Sequence, residues 1–163
     1  MRLVGVDPGI HGALAVYDHG DLESVHDMPV LDGQADGGAL GELFEEWLPD
    51  MVVVERVQAM PKVGTVASFS LGMNYGIVLG AATALSHPLI TLRPTEWKRR
   101  MGLIGKPKEA SRRLAIELWP KHAPMFRLVK HDGRAEAALI ARAYAYQAVH
   151  TEHAAGYPGG GAT

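Results

Sequence analysis

A chain of 163 residues, 47% hydrophobic and 21% charged, has the length and make-up of one ordinary globular domain. It contains no cysteine, which excludes disulfides, thiolate metal sites and a cysteine nucleophile and suits a reducing cytoplasm. The net charge of −2 is uninformative, but residues 93–134 carry twelve Lys/Arg against four Asp/Glu, the asymmetry of a basic face for a polyanion or of a solvated helical surface.

Residues 2–7 and 13–17 are short apolar runs separated by Pro-Gly and His-Gly turn signals, so they read as a strand hairpin. No signal-peptide pattern precedes them. Residues 22–28 offer a third strand, and Asp32–Gly38 reads as a loop. Leu40, Leu43, Phe44, Trp47 and Leu48 recur at helical spacing until Pro49 stops them. "MVVVE", 51–55, is continuous and β-branched, the pattern of a central strand buried on both faces.

From Val63 to Leu92 there is no Asp, Glu, Lys or Arg. The stretch is long enough to span a bilayer, yet Ser68, Ser70, Asn74, His87 and Pro88 favour a buried helix at 64–86 followed by a strand at 88–92. A helix is expected from Pro94, broken by "GLIGKPK". The segment 109–119 is amphipathic, with Leu114, Ile116, Leu118 and Trp119 inward and Arg112 and Arg113 outward. A last helix is expected over about 133–150, and residues 151–163 read as a disordered tail. The whole predicts a single domain at 1–150. Its α/β sheet is mixed, with an antiparallel meander followed by strands alternating with helices on both faces.

Four carboxylates stand out. Asp7 ends the first strand and Glu55 ends "MVVVE". If these strands are adjacent and parallel, both acids emerge at the sheet edge where open α/β sheets build their sites. Asp132 and Glu136 are four apart, on one face of the last helix. Like charges so placed repel, and a divalent cation removes that cost; Mg²⁺ prefers oxygen ligands, and two such ions stabilise the attacking and leaving oxygens of phosphodiester cleavage. Taken singly, Asp7 is also an ordinary turn residue before Pro-Gly, and Asp132 is also a helix cap.

Together, "GVDPGIHGALAVYD", "VVVERVQAMPKVGTVASFSLGMNYGIVLGAA", "RPTEWKRRMGLIGKPKEASRRLAIELWP" and "KHDGRAEAALIARA" resemble the motifs of the RuvC-type Holliday-junction resolvases, in the RNase H-like superfamily, particularly their short bacteriophage versions. The resemblance covers about residues 2–148. It implies an RNase H-like five-stranded mixed sheet, with the first three strands antiparallel and the rest parallel. It implies Mg²⁺, with Mn²⁺ able to substitute, held by Asp7, Glu55, Asp132 and Glu136. It also implies a cytoplasmic homodimer that nicks four-way DNA junctions, with no membrane partner. Many cellular members place the last two acids three residues apart. Here that position is Gly133, so Asp132 or, less favoured, His131 takes the role. His131 otherwise reads as an acid–base residue or a solvated histidine at the helix end. Lys98, Arg99, Arg100, Lys106, Lys108, Arg112 and Arg113 are the expected DNA contacts. Phe69 and Met73 read as core residues ahead of base-probing or dimer-packing ones. Flap or Y-form DNA is the alternative substrate, and a non-catalytic RNase H-like DNA-binding protein is the alternative class. An actin-like or sugar-kinase ATPase needs a second lobe for which the chain is too short.

Overall fold

The computed structural model describes residues 1–58 and 64–155; of residues 148–155 it describes the backbone only. Five strands form the main sheet: β1 (Leu3–Asp7), β2 (Ala13–Asp18), β3 (Asp21–Asp27), β6 (Met51–Glu55) and β7 (Leu89–Leu92), in the order β3-β2-β1-β6-β7. β1 to β3 form an antiparallel meander, and β6 and β7 run parallel to β1. This is the expected mixed sheet. The expected loop at 32–38 contains half of a short hairpin, β4 (Val30–Leu31) and β5 (Gln34–Ala35).

Strand alternation sorts the core into two layers. Val4 and Val6 of β1, with Val52 and Val54 of β6, face α1 (Gly37–Trp47) and α2 (Thr65–Ala84), where Leu40, Phe44 and Val78 are fully buried. Leu3 and Val53 face the opposite layer. It holds α3 (Pro94–Arg100), α4 (Ala110–Leu118) and α5 (Asp132–Ala155), with the buried rings of Trp97, Trp119 and Phe126. Buried alanines line α5, and Gly5 is the residue of β1 beneath Ala137 and Ala141. Any side chain at Gly5 would meet the α5 backbone, so the helix lies close on the strand.

The helix ends follow local chemistry. The Asp36 side chain accepts hydrogen bonds from the Gly38 and Ala39 N–H groups and starts α1, and Leu48 ends it in a left-handed conformation before Pro49. Pro94 opens α3, and Glu96 Oε2 accepts from the Arg93 N–H at 2.7 Å.

Two expectations need correction. α2 is not a buried helix: only Asn74, Val78 and Ala82, one stripe at a spacing of four, are buried. By length and composition it could cross a membrane, but Asn74 Oδ1 accepts the Ala35 N–H at 2.8 Å and its stripe packs on the sheet, which makes it part of this domain. Apolar composition does not say whether a face is covered by its own chain. The last helix also continues through Ala155, into the stretch expected as tail; residues 156–163 lie outside the described ones.

Candidate active site

β1 and β6 pair in parallel with Gly5 opposite Val53 and Val6 opposite Val54. The next residues along are Asp7 and Glu55. Both lie in the odd-numbered set that faces α3 and α5, so the two carboxylates leave the same edge of the sheet on the same side. α5 begins over this edge. A β-carbon at Gly133 would stand 2.6 Å from the His11 carbonyl oxygen and 3.0 Å from Asp7 Oδ2. The glycine found where an acid three residues before Glu136 would stand therefore marks a close approach: no side chain fits between α5 and the β1–β2 turn.

The start of α5 carries Asp132 in its first turn and Glu136 one turn on, both largely buried at 18% and 19% side-chain exposure. Together with Asp7 and His131 they line a cleft of about 1220 Å³ between the start of α2 and the start of α5. Glu55 is outside this lining but is coupled electrostatically to Asp7 and Glu136. Burial, then the charges of Glu55 and Glu136, push the Asp7 carboxyl from 3.8 up to about 7, against the Gly9 N–H and Lys98, which favour the ionised form. Glu55 is also raised, first by burial and then by Glu136, while a hydrogen bond from the Trp97 indole opposes the rise.

Three acids are thus gathered: Asp7, Glu55 and Glu136. The cation among them is Lys98, whose Nζ is 3.6 Å from Glu136 Oε1 and 5.0 Å from the centre of the Trp97 ring. Asp132 is differently placed. Its Oδ1 accepts from Arg112 Nε at 2.6 Å, and its Oδ2 is 3.4 Å from Lys108 Nζ. Among the described residues, no three Asp, Glu or His side chains are already drawn tightly enough to hold a metal ion. The chemistry of the set nevertheless fits one. All its donors are oxygens, and the raised carboxyls of Asp7 and Glu55 are groups whose charge needs a cation.

The expected DNA-contacting residues divide. Arg99, Lys106 and Arg113 are exposed. Arg100 is exposed and reaches the Ala143 carbonyl at 3.4 Å, while Lys98 and Lys108 are paired with site carboxylates. Arg112 does not point outward: its side chain is 15% exposed and ties α4 to the start of α5 through Asp132 and the Arg127 carbonyl. His131 is no solvated helix-end residue either. It is 7% exposed, and its Nδ1 accepts the Leu128 N–H at 3.3 Å. Burial, then neighbouring Arg134 and Lys130, hold its pKa below the usual histidine range. A neutral imidazole that closes the 3₁₀ turn Val129–His131 fits those facts. Phe69 is 68% exposed and is not core; Met73 is partly buried. Sequence reasoning missed the bond from Trp97 Nε1 to Glu55 Oε1, because a tryptophan at helical spacing reads as core. It also missed the paired bonds from Arg134 to Asp27 at the cleft edge, which join residues 107 apart.

Comparison with known proteins bears on this arrangement. No family model matches the chain. Over 89 residues, 54% of the chain, it is 36% identical to the chloroplastic Holliday junction resolvase MOC1 of Chlamydomonas reinhardtii, and it spans 10% of that protein's length. It is 26% identical to the crossover junction endodeoxyribonuclease RuvC of Thermomicrobium roseum, over 88% of this chain and 92% of that one. The structure of T. thermophilus RuvC in complex with a Holliday junction substrate matches with a TM-score of 0.68 at 21% identity, covering 90% of this chain and 96% of that one. The fold is the RNase H-like fold in its RuvC form. The yeast mitochondrial Holliday junction resolvase Ydc2 shares this fold at a TM-score of 0.61 and 16% identity, over 93% of this chain and 80% of that one. In this RuvC-like chain the antiparallel meander and the two parallel strands support one carboxylate edge, and α5 closes over it.

Proposed function

We propose that this chain is a divalent-metal-dependent endonuclease that resolves four-way DNA junctions by paired nicks. The observation that carries the reading is the gathering of Asp7, Glu55 and Glu136 at one sheet edge, with Asp7 raised to about 7, beside a cleft bordered by the chain's basic segment. In this reading Asp7, Glu55 and Glu136 hold the metal, Mg²⁺ with Mn²⁺ as substitute, and Asp132 is the fourth oxygen donor. Bound ions supply Lewis acidity at the scissile phosphate and activate the attacking water. Lys98 shields Glu136 and offers positive charge to the phosphate. Lys108 and Arg112 hold Asp132 at the cleft wall, and Lys108, exposed, also reaches the DNA backbone together with Arg99, Lys106 and Arg113.

The uncovered apolar side of α2, including Val66 and Phe69 at 84% and 68% exposure, supports a homodimer, so that two sites act on two strands. A cysteine-free chain acting on DNA suits the cytoplasm. The test is cleavage of a four-way junction in Mg²⁺ beside flap, Y-form and duplex controls. Paired nicks near the branch point of the junction, lost in Asp7→Asn, are the expected result. Preference for flap or Y-form DNA keeps the chemistry and changes the substrate. Metal-independent cleavage, or none, rejects the reading.

A further inference from the structure

Trp97 is completely buried, and its indole Nε1 donates to Glu55 Oε1 at 2.7 Å across 42 residues of sequence. We propose that Trp97 is a positioning residue for Glu55: its N–H fixes the carboxylate plane in the orientation that a divalent ion at the sheet edge requires. The inference rests on the metal-dependent reading above.

Several observations converge on it. A buried indole N–H needs an acceptor, and a backbone carbonyl would satisfy it; here it takes a carboxylate that is itself largely buried and ends a central strand. The connection is short. β6 pairs with β7 at Glu55 opposite Leu92, and α3 begins two residues later, so Trp97, the fourth residue of α3, comes within reach of Glu55. Glu55 hangs from the last residue of its strand, with three side-chain torsions to order. The indole removes much of that freedom before any ion arrives, which is the work of groups that orient metal ligands. The same ring also carries Lys98, whose ammonium stands 5.0 Å from its centre and 3.6 Å from Glu136. One buried side chain thus sets the direction of one acid and supports the cation beside another.

The experiment replaces Trp97 in the full chain in three ways: Trp97→Phe, the isosteric benzothienylalanine that substitutes sulfur for the N–H, and 5-fluorotryptophan, which keeps it. Three quantities are measured: Mn²⁺ binding without DNA by electron paramagnetic resonance, the Mg²⁺ dependence of junction cleavage, and thermal stability. Loss of the N–H weakens Mn²⁺ binding by about tenfold, the range seen when a partner of a metal ligand is removed. It also raises the Mg²⁺ needed for half-maximal cleavage by a like factor, while cleavage recovers at high Mg²⁺. The fluorinated residue behaves as tryptophan. The benzothienyl variant decides where Trp97→Phe unfolds, because it keeps the packing. Mn²⁺ affinity within twofold of the unmodified chain in that variant overturns the proposal. So does equal loss with 5-fluorotryptophan, which would mean that packing alone matters. If the unmodified chain shows no Mn²⁺ binding that depends on Asp7, the metal-dependent reading itself fails, an outcome distinct from either.

Discussion

Replacing Asp7 by asparagine should stabilise the metal-free protein. The Asp7 carboxyl ordinarily titrates at 3.8 and is raised to about 7 by burial and by Glu55 and Glu136. At roughly 1.4 kcal/mol per unit, keeping it ionised in the fold costs about 4 kcal/mol, an upper bound because residual solvent screens the site. The sign follows from proton binding. Between pH 3.8 and about 7 the folded chain holds a proton on Asp7 that the unfolded chain has lost, so stability rises as pH falls through that window. The penalty is complete above about pH 7 and gone below 3.8. Asparagine has no charge to lose. In EDTA the variant should therefore be more stable than the parent by up to about 4 kcal/mol at pH 8, with the gap shrinking to about 2 kcal/mol at pH 5. Urea unfolding of both proteins at pH 8, 6.5 and 5 measures this. Added Mg²⁺ should stabilise the parent and not the variant, by the usual mass-action rule. A parent as stable as Asp7→Asn at pH 8 in EDTA, or a gap that ignores pH, would refute the argument that burial and the charges of Glu55 and Glu136 crowd Asp7.

Asp132→Asn should lower junction cleavage far more than His131→Ala in both Mg²⁺ and Mn²⁺, because both line the cleft but the His131 ring nitrogen Nδ1 is taken up in closing a turn while Asp132 offers oxygens suited to a hard cation; single-turnover rates check this, and the reverse order would reassign the role. Lys106→Ala with Lys108→Ala should weaken junction binding and reduce the slope of log K against log salt by about 0.9 for each phosphate no longer neutralised, read from binding titrations across a salt series. Gly133→Ala puts a carbon 2.6 Å from the His11 carbonyl oxygen, so α5 must shift. It should cost about 1–3 kcal/mol of stability in urea unfolding and lower cleavage as Glu136 moves with the helix.

Local pattern carried much of this protein. Alternation and β-branching in "LVGVD" and "MVVVE" mark two strands, and a strand's period of two places Asp7 and Glu55 on the same side once the strands pair in parallel register. Helical spacing likewise puts Asp132 and Glu136 on one face of α5. These regularities arise within a few residues, so the sequence displays them directly. What covers each face is decided by distant residues, and only the folded chain shows it. The pairing of Asp132 with Arg112 joins α5 to α4 across 20 residues and turns an expected DNA contact into a strut. The Trp97 bond reaches Glu55 across 42 residues that include the whole of α2 and β7. Gly133 looked like a missing ligand until its distance to the β1–β2 turn showed that no side chain has room. The long apolar α2 read as buried because hydropathy records the preference of a surface for leaving water, not the partner that removes it; packing among the described residues covers only one stripe of that helix.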